Sequence, residues 1–362
     1  MEKAYWILVI NPGSTSTKIS VFCNEEEVFS ESLKHSEEDL KHFQHINEQL
    51  AFRQTMILTA LEKAGIELRK LNAVAARGGN MKPVVGGTYI VNQPMLEDLE
   101  IGVMGQHASN LGGRIAYAIA APLGLNAYVV DPVIVDEMEP LARYSGTPLI
   151  ARKSKDHPLN QKAVGREAAK RLGGRYEDYN FIIAHLGGGI SVGVHKKGRL
   201  VDVNNSLDGD GPMSPERCGG LPFGSVMDLC YSGKYTKAEL RKKLIGGGGI
   251  MGYLGTNDGR KVVERIRNGD EEAAQVYEAM AYQISKEIGA CAAVLKGDVD
   301  RILLTGGLAY DELLMSWIRE RVSFIAPVMT FPGEHEMEAL ALGTLRVLRG
   351  QEALQTYPNP VS

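Results

Sequence analysis

The sequence predicts an α/β protein made of two related domains, and three stretches carry the prediction. Residues 5–10 form an apolar, β-favouring run that enters the bend Asn11-Pro12-Gly13-Ser14-Thr15-Ser16-Thr17-Lys18 and leaves through Ile19-Ser20-Val21-Phe22, a strand, turn and strand in sequence. The same design returns at residues 181–194, where Phe181-Ile182-Ile183-Ala184 runs into His185-Leu186-Gly187-Gly188-Gly189 and out through Ile190-Ser191-Val192-Gly193-Val194. A third strand, Arg301-Ile302-Leu303-Leu304-Thr305, ends in Gly306-Gly307-Leu308. The first two stretches form an internal pseudo-repeat, one copy per domain.

The elements follow in order. The first bend holds no acid, and its backbone N–H groups, four hydroxyls and Lys18 suit a polyanion such as the phosphates of a nucleotide. Ser36-Glu37-Glu38-Asp39 reads as a capped helix start. A helical stretch follows to Leu61, with Phe43, Ile46, Leu50, Ile57 and Leu61 on one face and Arg53 interrupting the stripe. The small-residue strand at 71–76 ends in Arg77-Gly78-Gly79, which can project an arginine into a cleft. A short strand at 86–91 precedes Gln106-His107-Ala108-Ser109-Asn110, which opens a helix carrying Ile115, Ala118 and Ile119. The strand at 127–130 delivers Asp131 at its end, before Pro132, either as a site carboxylate or as a turn former.

Residues 140 to about 160 lack periodicity and are rich in Pro, Ser, Lys and Arg, so the domain boundary is expected there: domains of 1–150 and 151–335, with a C-terminal helix at 336–358. Residues 204–225 form a long irregular stretch of the kind that is usually a functional loop. The helix at 271–295 buries Ala273, Tyr277, Met280, Ile284 and Ile288 as core packing. Met337, Leu340, Ala341 and Leu345 mark the C-terminal helix.

Composition narrows the function. With 362 residues, 44% hydrophobic and 23% charged, the chain is an ordinary globular one, and a net charge of −4 disfavours nucleic acid and anionic membranes as partners. Cys23, Cys218, Cys230 and Cys291 fall in no metal-binding spacing, which suggests free thiols and a cytoplasmic protein. The short apolar run at the start is expected to be neither a signal peptide nor a membrane span. No G-x-x-x-x-G-K-[ST] occurs, which removes a P-loop. Gly247-Gly248-Gly249-Ile250-Met251-Gly252 spells G-x-G-x-x-G but follows a basic helical segment rather than a strand. Gly189-Ile190-Ser191-Val192-Gly193 spells G-x-S-x-G, yet a strand rather than a helix leaves the bend.

The three glycine-bearing strand ends resemble the phosphate-1, phosphate-2 and adenosine motifs of the acetate and sugar kinase, Hsp70 and actin superfamily. Residues 7–18 and 184–191 are similar to the two signatures of its acetokinase family. Gly211-Pro212-Met213-Ser214-Pro215-Glu216-Arg217, with Gln106-His107-Ala108-Ser109-Asn110, resembles the butyrate kinase branch. The resemblance implies duplicated ribonuclease-H-like (actin-like ATPase) domains with a nucleotide cleft between them. It further implies reversible transfer of the ATP γ-phosphate to a short-chain carboxylate, giving an acyl phosphate and ADP, with ATP/ADP and Mg²⁺ as cofactors. A homo-oligomer is expected on the same ground.

The resemblance also assigns roles. Arg77, Asp131, His185 and Arg217 would be catalytic. Ser14, Ser16, Lys18, Gly187, Gly188 and Gly189 would hold phosphates, while Asp258, Arg260, Gly306 and Gly307 would hold the nucleoside; Asn11 and Glu336, from the Glu334/Glu336/Glu338 cluster, would serve Mg²⁺. Positions shift against acetate kinases: Val74 stands where the family arginine does, Arg77 takes a histidine's place, Arg217 substitutes for a second arginine, and His157 stands in for a histidine near Gln161. These shifts favour butyrate or isobutyrate over acetate or propionate. A nucleotide-driven chaperone or filament protein on the same fold is the competing reading.

Overall fold

The opening apolar run folds as strand β1 (Trp6–Pro12), and the bend returns it antiparallel as β2 (Ser16–Cys23), with Asn11 opposite Lys18. β3 (Glu26–Lys34) completes a meander. β4 (Ala73–Ala76) then pairs parallel to β1; after β5 (Thr88–Ile90), β6 (Ala127–Val130) pairs parallel to β4 and antiparallel to β5. The computed structural model describes residues 3–207 and 209–358; Asp208 of the irregular stretch lies outside the described residues.

After an exposed hairpin of β7 (Tyr144–Thr147) and β8 (Ile150–Ala151), the topology is repeated. β9 (Asn180–Leu186), β10 (Ile190–Lys196) and β11 (Arg199–Val203) form a second meander, and β12 (Arg301–Gly306) and β13 (Val328–Pro332) extend it by parallel pairing. The order β3-β2-β1-β4-β6 thus matches β11-β10-β9-β12-β13, which is the duplication that the repeated bend foretold.

The chain clusters into two compact units. One comprises residues up to Asp136 and those from His335 onward; the other is Glu137–Glu334. In the first, Leu8, Ile10, Ile19 and Val21 pack with Ile57 and Leu61 of the helix Leu50–Lys63 and with Leu111 and Ile115 of the helix Asn110–Ala120. In the second, β9 is buried along its whole length because both sheet faces are covered. Ile182 and Ala184 share a core with Tyr277, Met280 and Ile284 of the helix Glu271–Val294, while Phe181 and Ile183 meet Val164 and Ala168 of the helix Pro158–Arg171.

Two elements differ from expectation. The stretch from Ser36 to Leu61 is not one helix: the capped segment Glu37–Leu40 stops after one turn and the chain restarts at Ile46–Gln49 and Leu50–Lys63. The C-terminal helix is Glu336–Leu348, not 336–358. Beyond it the chain adds β14 (Gln355–Thr356) at the sheet edge beside β5, where its backbone groups find ladder partners.

Candidate active site

Parallel strands set the first unit's polar residues side by side. Ile10 pairs with Ala76 and Ala76 with Val129, so Asn11, Arg77 and Asp131 all emerge at the carboxyl ends of adjacent strands, where open α/β sheets bind ligands. The N–H of Arg77 donates to Ile10 O at 3.0 Å. Its Nη1 lies 3.1 Å from Glu336, which also accepts Asn11 Nδ2 at 2.6 Å. The Glu336 carboxylate sits in the first turn of its helix, where the exposed N–H groups favour negative charge. Asp131 is buried, with φ +36°, and its Oδ1 accepts the Gly87 N–H at 2.8 Å while its own N–H donates to Gly87 O. The carboxylate therefore also ties the end of β6 to the start of its antiparallel neighbour β5.

The first bend is anchored from beneath by a residue that the sequence reading treated as a flaw in a helix. Arg53 is fully buried. Its Nη1 donates to Gly13 O at 2.8 Å, Ser16 O at 3.2 Å and Thr17 Oγ1 at 3.0 Å, and its Nη2 to Ser14 O at 3.2 Å; Gln49 Oε1 takes the remaining edge. Burial pulls its guanidinium down to about 10, still cationic at neutral pH. Thr17, one of the four bend hydroxyls, is buried between Arg53 and His35 and so is turned inward. Ser14 and Lys18 are exposed and Ser16 is half-buried.

In the second unit the Gly187–189 bend gathers side chains from three segments. His185, at the end of β9, is buried and stacks on His157 with ring centroids 4.0 Å apart. Its Nδ1 lies 2.7 Å from Asn160 Oδ1; because Asn160 Nδ2 donates to Glu334 O at 2.6 Å, that oxygen accepts and His185 Nδ1 carries the hydrogen. The irregular loop folds back onto the bend: Ser214 Oγ donates to Gly188 O at 2.6 Å. A Cβ at Gly189 would collide with Arg217 Nη1, so only glycine lets that guanidinium lie against the bend. Arg217 Nη1 also donates to Ser206 O, and the Arg217 N–H to Ser214 Oγ at 3.1 Å. Glu216 Oε1 accepts Asn257 Nδ2 at 2.5 Å, joining this loop to the segment before Asp258.

A cavity of about 540 Å³ follows, lined by Asp258, Gly259, Arg260, Val263, Tyr277, Gly307, Leu308 and Tyr310 among others. Asp258 caps the helix Gly259–Arg267 and holds Arg260 by both oxygens, and the Arg260 hydrogen bond keeps its carboxyl down at about 2. Tyr277 donates to Asp311 Oδ2 at 2.6 Å. Gly307 faces this cavity. Gly306, at φ +92°, is instead pressed on the Leu186 backbone and joined to Gly333 by paired hydrogen bonds, so it packs strand ends together.

Asp156, which precedes His157 in the chain, is buried with Oδ2 unpartnered, and burial, opposed by Ser154 and Lys162, pushes its carboxyl up to about 7. The folded chain then holds a proton there that the unfolded chain releases near pH 4. Stability contributed by this group is present at low pH and lost as pH rises toward 7, at roughly 1.4 kcal/mol per pH unit. Asp156→Asn is expected to be more stable than the parent at pH 8 by up to about 4 kcal/mol, with the gap shrinking toward pH 4; urea midpoints across that range check it.

Arg53, Asn160, Gln161 and Ser191 were missed by sequence reading. The one available signal was a charged residue on an apolar stripe at Arg53. Among the described residues no cluster of three or more His, Cys, Asp or Glu side chains is placed to hold a metal ion, and no helix is long and apolar enough to cross a membrane.

Comparison with known proteins bears on the fold and the family. The curated "Butyrate kinase 1" of Clostridium acetobutylicum is 54% identical over 353 residues, covering 98% of this chain and 99% of that protein. Among solved structures, an acetate kinase of Porphyromonas gingivalis superposes with a TM-score of 0.78 at 20% identity, covering 95% of this chain and 100% of that one. A propionate kinase of Francisella tularensis gives 0.74 at 19% identity, covering 94% and 98%. At such identities these two structures speak for the fold, a duplicated actin-like one. The model of the acetokinase family matches residues 143–341, and with the full-length relative it shows that the chain belongs to the acetokinase family.

Proposed function

We propose that the chain transfers the γ-phosphate of ATP to a short-chain fatty acid, butyrate or isobutyrate, giving an acyl phosphate and ADP reversibly. The single observation that carries this reading is the 54% identity with a butyrate kinase along nearly the whole chain. A carboxylate oxygen attacks the γ-phosphorus, and the bond to the β–γ bridging oxygen breaks with ADP leaving. The nucleophile is already ionised at neutral pH, so the task is to bring two anions together rather than to remove a proton. Arg77 and Arg217 are the cations proposed for that task, with His185 beside the Gly187–189 bend and Asp131 positioning substrate or metal. Ser14, Ser16, Lys18 and the Gly187–189 bend are assigned to phosphates; Asp258, Arg260 and Gly307 are assigned to the nucleoside because they line one cavity, with Gly306 supporting Gly307.

Asn11 and Glu336 suit Mg²⁺: both present hard oxygens, and Asn11 turns its amide nitrogen to the carboxylate, which leaves Oδ1 for a ligand or a metal-bound water. The ion would neutralise phosphate charge, while Arg77 keeps Glu336 in place. We take the two compact units as the two domains. A cytoplasmic homo-oligomer is proposed as well. Four free cysteines support the first point, and exposed Tyr144, Leu149, Phe223 and Tyr231 support the second.

Incubation with ATP, Mg²⁺ and hydroxylamine is expected to give butyrate-dependent hydroxamate. A panel from acetate to isovalerate should show graded rates, since each methylene is worth about 0.8 kcal/mol. ATP turnover indifferent to carboxylates would overturn the reading.

A further inference from the structure

A chain of buried hydrogen bonds leads from the interior of the second unit to His157, and the chemistry of its members sets its direction. Tyr176 OH meets His195 Nδ1. His195 Nε2 lies 2.8 Å from Gln161 Oε1, Gln161 Nε2 lies 2.8 Å from Ser191 Oγ, and Ser191 Oγ lies 2.9 Å from His157 Nδ1. His195, Gln161 and Ser191 are all fully buried, where an unused donor or acceptor is costly. An amide oxygen only accepts, so His195 carries its hydrogen on Nε2 and its Nδ1 accepts from Tyr176. An amide nitrogen only donates, so the Ser191 oxygen is already served, and among the described residues the Ser191 hydrogen finds its acceptor in His157 Nδ1. The proton of neutral His157 is left on Nε2. The stacked partner His185 has the opposite arrangement, with its hydrogen on Nδ1 toward Asn160.

We propose that Tyr176, His195, Gln161 and Ser191 are positioning residues that hold His157 as its Nε2-protonated tautomer, a permanent hydrogen-bond donor for the phosphoryl group handled beside the Gly187–189 bend. The assignment of a use to that donor rests on the phosphotransferase reading above. Charge spreads over the equatorial oxygens of a transferring phosphoryl group, and a neutral N–H that is already oriented stabilises it without waiting for protonation. Deep burial, then the nearby charges of Lys162 and Arg166, keep His195 neutral, so the relay does not reverse by taking up a proton.

Gln161→Glu tests the direction. A carboxylate still accepts from His195 but no longer donates to Ser191. The Ser191 hydroxyl then turns to residue 161, and His157 must donate from Nδ1. In the full chain with ¹⁵N-labelled histidine, NMR is expected to show His157 with a pyridine-type Nδ1 and a protonated Nε2, and the reverse in Gln161→Glu. That variant should lose about 10- to 100-fold in kcat with KM for ATP and butyrate within about threefold, and Ser191→Thr, which keeps the hydroxyl, should retain most of kcat where Ser191→Ala does not. A wild-type His157 protonated on Nδ1 overturns the proposal, and so does an unchanged kcat in a variant whose tautomer has reversed. If the wild-type protein transfers nothing to butyrate, the phosphotransferase reading fails, while the tautomer, read without substrate, still decides the relay.

Discussion

Arg217→Ala is expected to lower kcat about a hundred- to a thousandfold while leaving the nucleotide dissociation constant within about threefold. The reason lies in where the guanidinium rests. It covers Gly189 so closely that no other residue fits there, and its Nη1 donates to Ser206 O. A cation laid against the Gly187–189 bend, the bend proposed above to hold phosphate, contributes most when negative charge grows on a transferring group. Arg217→Lys keeps the charge but loses the fork, so it should recover only part of the rate. Steady-state kinetics and calorimetric titration with ADP separate the two quantities. Equal losses in kcat and ADP affinity would show that Arg217 serves ground-state binding or only the loop.

What could be read in advance was what is local. Six apolar residues, a proline–glycine bend and a second apolar run specify a hairpin within about twenty positions, and its reappearance at 181–194 made the duplication visible before any strand order was known. The helix at 271–294 followed from periodicity alone. Partnerships between distant segments were not legible. Glu336 was one of three similar acids until Asn11 and Arg77, 325 and 259 positions away, were found on it. Asn160, Gln161 and Lys162 open a helix whose polar residues look like a solvated face; they are buried because that helix packs against β9 and β12, and each has a fixed partner there.

Arg53 is the case where the pattern pointed the wrong way, and its replacement should produce the largest loss of stability. Arg53→Ala would strip four backbone and side-chain acceptors, the carbonyls of Gly13, Ser14 and Ser16 and the Thr17 hydroxyl, of a donor they reach from 36 to 40 positions away. An unsatisfied buried acceptor costs about 1–3 kcal/mol, but the bend is partly exposed, so water can reach some of these groups. A net loss of about 3–5 kcal/mol is expected, measured by urea unfolding of the whole chain. Arg53→Lys should recover less than half of it, because one ammonium cannot span carbonyls that a planar fork reaches from two nitrogens. Activity should fall with stability and should not return when the variant is assayed well below its unfolding temperature, since the bend that presents Ser14, Ser16 and Lys18 would have lost its floor. A variant less than 1 kcal/mol weaker than its parent, or one with full activity at low temperature, would mean that the hairpin shapes the bend unaided and that the buried guanidinium only fills space.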